Sequence, residues 1–212
     1  VSTVVQIAPG AVHVPGWLSR EAQRDLVSAC REWSRPPAGM RATKMPNGSQ
    51  MSVQTVCLGW DWMPYRYSKT APDGSPVKPF PEWLIEFGQR AVSVTAAGET
   101  WLDEPYVPDI ALVNFYDDEA KMGLHQDKEE RSLAPVVSIS LGDSCRFRFG
   151  NTENRSRPWT DVLLDSGDLF VFGGESRMAY HGVPNTLPGT GPDDIGLPTG
   201  RLNLTLRVSG LT

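Results

Sequence analysis

Metal-binding and redox side chains are scarce in this 212-residue chain: three cysteines (Cys30, Cys57, Cys145) and three histidines (His13, His125, His181). The cysteines are odd in number, far apart and never in a CxxC pair. That argues against a disulfide framework and a cysteine zinc site, and for a reducing compartment, the cytosol. Long apolar runs are also missing. Residues 1–19 carry no Lys, Arg, Asp or Glu, but Pro9, Gly10, Pro15 and Gly16 interrupt them, so neither a membrane span nor a signal segment is expected. Basic charge is not in excess: 20 Lys and Arg face 25 Asp and Glu, for a net charge of −5. This disfavours a generic nucleic-acid binder, because phosphate neutralisation needs Lys and Arg. The balance is uneven, however, since residues 1–60 hold six basic and three acidic side chains. No internal repeat or low-complexity tract occurs. Glycine (20) and proline (18) are plentiful, which implies many turns and excludes a long-helix bundle. The length fits one domain.

Two helices are expected. Ser19 can cap a helix whose apolar positions are Ala22, Leu26, Cys30 and Trp33. Pro81 and Glu82 open another, with Trp83, Leu84, Phe87, Ala91 and Val94 on its apolar side and Gly98 past its end. Between them, residues 34–80 mix Pro, Gly, Ser and aromatics without a long period and suggest short strands and loops. From residue 109 the pattern is β: Asp109–Tyr116, Pro135–Leu141, Cys145–Phe149, Leu169–Phe172 and Arg201–Val208. Residues 187–200 form an irregular loop. Short strands with turn signals predict a double sheet, sandwich or barrel-like, with both helices outside.

Three features carry chemistry. His125 and Asp127, two apart on an extended segment, project to one side and can reach one ion; taken alone, the pair reads rather as a solvated histidine in an acidic run. His181 follows an apolar strand and can complete a two-histidine, one-carboxylate set, the ligand pattern of non-haem Fe(II) oxygenases, which leaves positions open for co-substrate and O2. Alternation along Arg201–Arg207 puts Arg201, Asn203, Thr205 and Arg207 on one face and Leu202, Leu204 and Leu206 on the other. In water, that polar face is an ordinary amphipathic strand. Lining a cavity, its guanidiniums suit a dianion such as 2-oxoglutarate, since Arg binds carboxylates bidentately and stays charged.

Together, His125-x-Asp127, His181 and Arg201-x-Asn203-x-x-x-Arg207 resemble the AlkB family of Fe(II)/2-oxoglutarate-dependent dioxygenases. Asn114-Phe-Tyr116, Leu124-His-Gln-Asp-Lys128, Val137-Ser-Ile-Ser-Leu-Gly142, Gly173-Gly-Glu-Ser-Arg177 and Tyr180-His-Gly182 add to the likeness, which spans about residues 40–208. It implies a mainly β fold with flanking helices, a double-stranded β-helix (jelly roll) carrying an N-terminal nucleotide-recognition lid. Residues 1–108 would form the extension with helices and lid, packed on a catalytic core at 109–212. Fe(II) would sit on His125, Asp127 and His181, with Arg207 beside them in the catalytic set. 2-Oxoglutarate would meet Asn114, Tyr116, Arg201, Asn203, Thr205 and Arg207. Met51, Trp60, Tyr65, Tyr67, Glu129 and Arg155 would contact the substrate base. With O2, the implied reaction is oxidative dealkylation of bases such as 1-methyladenine and 3-methylcytosine in DNA, single strand rather than duplex, with RNA a further candidate, by a monomeric enzyme.

The chain departs from the family pattern at three places. Glu129 stands where the family carries Asp, Asn154 and Arg155 straddle the position of a family Arg, and Phe172 replaces a Trp. These bear on substrate range rather than on iron chemistry. Two other readings stay open from sequence: a 2-oxoglutarate oxygenase acting on RNA marks, protein or a small molecule, and a non-catalytic jelly-roll binding module.

Overall fold

The computed structural model describes residues 3–95 and 104–212; Gly98 lies outside them. In chain order the elements are β1 (Val5–Ala8), β2 (Ala11–Val14), α1 (Arg20–Trp33), β3 (Arg41–Lys44), β4 (Gln50–Leu58), β5 (Asp61–Met63), β6 (Arg66–Ser68) and α2 (Trp83–Thr95). There follow β7 (Ile110–Tyr116), β8 (Met122–His125), β9 (Val136–Gly142), β10 (Ser144–Phe149), β11 (Thr160–Leu164), β12 (Leu169–Phe172), β13 (His181–Leu187) and β14 (Arg201–Arg207). A major sheet runs β1-β2-β12-β9-β14-β7-β4-β3, a minor sheet β11-β10-β13-β8, and β5-β6 form a separate hairpin. Every strand pair in the two large sheets is antiparallel. This is the jelly-roll architecture. Strands from the first 108 residues, β2 and β4, pair directly with β12 and β7.

Period-2 alternation sorts the major sheet into two faces. Leu202, Leu204 and Leu206 of β14, Val137, Ile139 and Leu141 of β9, and Leu169 and Val171 of β12 point one way, into a core shared with Leu26, Val27 and Cys30 of α1 and Leu84, Phe87 and Ala91 of α2. Phe170 and Phe172 of β12, Val136 of β9 and Tyr116 of β7 point the other way and pack against Phe147 and Phe149 of β10 and Val183 of β13. The helices thus cover the outside of the major sheet, while the minor sheet closes its inside. All seven residues of β14 are buried, so its polar face lines the interior and the solvent-facing alternative is excluded.

Ser19 caps α1 as expected, its hydroxyl accepting from the Ala22 amide at 3.2 Å. The second helix differs in its buried face. Trp83 is 46 % exposed, Val94 packs partly buried against the core as expected, and Val92 is buried as well. Trp83 instead stacks on Trp33 of α1 at 5.9 Å and 18°. At the start of the β5-β6 hairpin Gly59 has φ +79°, and a Cβ there would lie 1.9 Å from the Asp109 carbonyl oxygen, so only glycine fits.

Candidate functional site

The metal-ligand candidates meet across the minor sheet. His181 opens β13 and His125 closes β8, and the two are register partners. Gly182 allows this close approach: a Cβ there would come within 2.6 Å of the Met122 carbonyl oxygen. His125, Asp127 and His181 each offer one ligand atom, all within 4.8 Å of one another. Both imidazoles are oriented alike. Nδ1 of His125 donates to the Gly123 carbonyl and Nδ1 of His181 to the Ala179 carbonyl, each at 2.9 Å. A carbonyl can only accept, so Nδ1 carries the proton and Nε2 is left with a free lone pair facing Asp127. Loss of hydration, followed by the nearby His181, pushes the His125 pKa down to about 4, which keeps that lone pair available.

Asp127 is 3 % exposed, and its Oδ2 has no hydrogen-bond partner. Burial raises its pKa, but Arg207 and then His181 outweigh this and hold the carboxyl well below the usual range. An ionised, buried carboxylate oxygen with no donor, flanked by two imidazole lone pairs, fits a divalent cation of borderline character such as Fe(II).

Behind this cluster lies an inner cavity of about 50 Å³ lined by Tyr116, Ser138, Arg201, Asn203, Thr205 and Arg207. Arg201 is 1 % exposed and lies 5.0 Å from the Tyr116 ring. Its Nη2 donates to Ser140 Oγ at 2.9 Å, while Nε and Nη1 are buried without partners. A guanidinium cannot shed its proton, so a buried one without a carboxylate calls for an anion. Asn203 and Thr205 are committed within the protein. The Asn203 amide donates to Ser138 Oγ (2.8 Å) and the Ile139 carbonyl (3.1 Å), and accepts from Thr205 Oγ1 at 3.0 Å. Asn114 Oδ1 accepts from Thr55 at 2.7 Å. The serines of β9 were not singled out from sequence, although their alternation with Val137, Ile139 and Leu141 marks them as inward-facing.

Arg207 joins the cluster to a second buried acid. Its Nη2 lies 2.8 Å from Asp127 Oδ1, and its Nη1 donates to Glu130 Oε1 at 2.9 Å and to the Tyr67 hydroxyl at 3.1 Å. Glu130 also accepts from Arg177 Nη2 at 3.1 Å and from the Tyr67 hydroxyl. Arg177 in turn donates to the backbone carbonyls of Asp127 and Ala134. Burial raises the Glu130 pKa, but the arginines and the Tyr67 hydrogen bond bring it below its ordinary value. Loss of hydration opposes the Arg207 charge, yet Asp127, Tyr67 and Glu130 raise its pKa well above normal. Sequence reasoning missed Glu130, which looks like part of a solvated run Lys128-Glu129-Glu130. Arg177 was visible only as one letter of a longer motif.

An outer cleft of about 380 Å³ opens on the other side of the histidines, within the usual range for small-molecule sites. Met51, Tyr65, Glu129 and Arg155 line it, together with Trp62 and Tyr180. Tyr65 is 67 % exposed at φ +68°, a strained backbone for a bulky residue at the mouth of a site. Burial pushes the Glu129 carboxyl pKa up. Two expected base contacts fall elsewhere. Tyr67 lies under the cleft, tied to Glu130 and Arg207. Trp60 packs against a small cluster of Cys57, Ile110 and Leu112, with the Lys69 ammonium 3.8 Å over its ring. Trp62, two residues on, takes the cleft position. Trp60 precedes β5 and Trp62 lies within it; both pack on that cluster, but only Trp62 reaches the cleft lining, a difference set by the tertiary position of the hairpin.

Comparison with known proteins agrees with this geometry. The model of the 2OG-Fe(II) oxygenase superfamily matches residues 10–207. The chain is 41 % identical over 211 residues to the alpha-ketoglutarate-dependent dioxygenase AlkB of Escherichia coli, covering 96 % of this chain and 92 % of that protein. It is 36 % identical over 220 residues to the DNA N(6)-methyladenine demethylase ALKBH1D of Arabidopsis thaliana, covering 95 % of this chain and 50 % of that protein. The chain thus spans about half the length of the plant relatives it matches. A solved structure titled "The structure of OsALKBH1" superposes with a TM-score of 0.87 at 35 % identity, covering 97 % of this chain and all of that one. With a family model spanning nearly all of its length and a metal cluster and buried arginine pair where that chemistry needs them, the chain belongs to the AlkB family of the 2OG-Fe(II) oxygenase superfamily.

Proposed function

We propose that the protein is an Fe(II)/2-oxoglutarate-dependent dioxygenase that removes N-alkyl groups from bases in single-stranded DNA. The observation carrying this reading is the buried Arg201, partnerless at two nitrogens, next to a His125–Asp127–His181 cluster that opens onto a cleft of nucleobase scale. His125 Nε2, Asp127 Oδ2 and His181 Nε2 would hold the iron. Arg201, from the floor of the inner cavity, would pair with one carboxylate of 2-oxoglutarate. When both are bound, the site supplies oxidation of a C–H bond to C–OH by O2, with 2-oxoglutarate converted to succinate and CO2. A carbinol on a ring nitrogen then leaves as the aldehyde, restoring the base.

The protein's own residues do the rest. Arg207 holds Asp127 in its ligating orientation and keeps it ionised, backed by Glu130. A base must leave its stack to reach a buried ion. Trp62 and Tyr65 offer it flat faces, and Met51 adapts to its edge. Adenine alkylated at N1 and cytosine alkylated at N3 are cationic, and Glu129 and the aromatic faces are suited to positive charge. Arg155 at the rim is placed for a flanking phosphate. The requirement to extrude a base favours single strands, where unpairing costs least. The tRNA demethylase abh1 of Schizosaccharomyces pombe, 33 % identical over 144 residues, makes RNA the natural second substrate to test. We take the protein to act as a monomer in the cytosol, in keeping with three buried free cysteines; no described helix is long and apolar enough to cross a membrane.

The test is turnover of a 1-methyladenine oligodeoxynucleotide with Fe(II) and 2-oxoglutarate, with succinate and formaldehyde counted together and an RNA of the same sequence in parallel. Equal yields of both products are expected, and Asp127→Ala should abolish them while the circular dichroism spectrum is unchanged. Succinate without formaldehyde on any methylated nucleic acid would overturn the substrate assignment. Undiminished turnover in Asp127→Ala would overturn the metal site.

A further inference from the structure

The outer face of the minor sheet has no role in the site above, yet it carries a concentration of arginine unusual for an acidic protein. Alternation in β10 sends Phe147 and Phe149 inward and Arg146 and Arg148 outward. Register places Arg146 opposite Leu163, an apolar side chain 52 % exposed, and Arg148 opposite Asp161. Arg148 makes a two-point pair with Asp161, at 2.7 and 2.8 Å. Arg146 lies 4.0 Å from the same carboxylate, and Arg157 also lowers its pKa. Two guanidiniums therefore face one acid, with Arg157 nearby, so the basic side chains outnumber the acid they share. The guanidiniums of Arg148 and Arg157 lie 4.6 and 5.3 Å from the Trp159 ring, which splints them at the surface.

This face is continuous with the outer cleft. A groove of about 270 Å³, lined by Lys121, Met122, Gly123, Arg148, Gly182 and Pro184, shares Met122 and Gly123 with the cleft across strand β8. Arg155 stands at the rim between them, anchored through Nε to the Leu124 carbonyl at 2.8 Å. A surface that is cationic, has exposed apolar patches and leads out of a nucleobase cleft matches the alternating phosphate and sugar of a polynucleotide.

We infer that this face, from the Lys121–Arg148 groove to Arg146 and Arg157, binds the sugar–phosphate backbone of the strand flanking the extruded nucleotide. The inference rests on the nucleic-acid reading above. It implies that affinity grows with substrate length beyond what fills the cleft. Arg146 and Arg157 are both exposed and away from the cleft lining, so replacing them leaves the chemical site intact.

The experiment compares wild type with Arg146→Gln/Arg157→Gln on a methylated trinucleotide and a methylated 20-mer, and measures binding of an unmodified 20-mer by fluorescence anisotropy across a salt series. The 20-mer KM and Kd should rise about ten-fold in the variant, and the log–log salt slope should shrink by about 1.4, or about 0.7 for each lost single-strand phosphate contact. The trinucleotide kcat/KM should not move. Unchanged 20-mer affinity and salt slope would overturn the inference and leave the face as solvated surface. So would a polyglutamate peptide displacing the 20-mer at equal charge concentration, which would mark an acidic-protein site. Failure of the wild type to turn over either methylated substrate would overturn the demethylase reading instead, and the anisotropy arm would still decide this surface.

Discussion

At the scale of single residues, the site is governed by buried charges and the partners they lack. Arg201 has two nitrogens with no acceptor, and a lysine there would keep the charge but lose the planar fork. A charge-assisted contact to a carboxylate contributes about 1.5–3 kcal/mol. Arg201→Lys should therefore raise the 2-oxoglutarate KM about ten-fold to a hundred-fold, with Fe(II) affinity measured by quenching of intrinsic fluorescence nearly unchanged. The two hairpin tryptophans should separate by phenotype. Both pack on the Cys57, Ile110 and Leu112 cluster, but only Trp62 also lines the cleft, and stacking on a base contributes about 1–3 kcal/mol, so Trp62→Ala should weaken oligonucleotide binding by the folded protein about ten-fold or more. Trp60 packs on Cys57, Ile110 and Leu112, so Trp60→Ala should lower stability by about 1–3 kcal/mol in urea unfolding and change binding less. The reverse pattern would restore Trp60 as the base platform.

At the scale of the element, β14 does two jobs through one periodicity. Its odd-numbered residues form the floor of the inner cavity, and Leu202, Leu204 and Leu206 hold the sheet against the helices. It sits between β9 and β7 near the middle of the major sheet, paired on both edges over nearly its whole length. Leu204 is fully buried, so Leu204→Ala should cost about 2–5 kcal/mol, read from the urea midpoint at constant m-value. A one-residue slip of this strand would exchange the arginines for leucines in the cavity. The doubly paired register prevents that.

At the scale of the molecule, the buried chain Asp127–Arg207–Glu130–Arg177 links β14, the segment after β8 and the turn after β12, and Tyr67 ties in the β5-β6 hairpin. Glu130 has a folded pKa below its ordinary value of 4.5. Its ionised form is thus favoured by folding, and that contribution is complete above pH 4.5 and is lost as pH falls through the lower folded value. Glu130→Gln leaves two buried guanidiniums underpaired and should cost about 3–5 kcal/mol at pH 7. Between pH 5 and 3 it should lose less stability than wild type, because it has no proton to gain there. Parallel stability–pH curves for the two proteins would show that Glu130 does not supply this acid sensitivity.

Much of this was present in local pattern. Alternation in Arg201–Arg207 and Cys145–Phe149 identified strands and their two faces, Ser19 and the 3.6-residue period identified α1, and the resemblance to a family carried by His125, Asp127, His181, Arg201 and Arg207 pointed to the chemistry, which their spacing alone left open. These are short-range properties: side-chain direction follows from backbone geometry within a few residues. Which face met water, which tryptophan met the cleft, and whether Glu130 was solvated or buried depended on partners far along the chain. Arg207 and Glu130 are 77 residues apart, Tyr67 and Arg207 are 140 apart, and His13 of β2 reaches Asp168 across 155. A single sequence carries periodicity but not the pairing of distant strands. The sequence by itself therefore determined the strand faces and the motifs that carry the family resemblance, while only the folded sheets decided burial, and through burial which charges lack a partner within the protein.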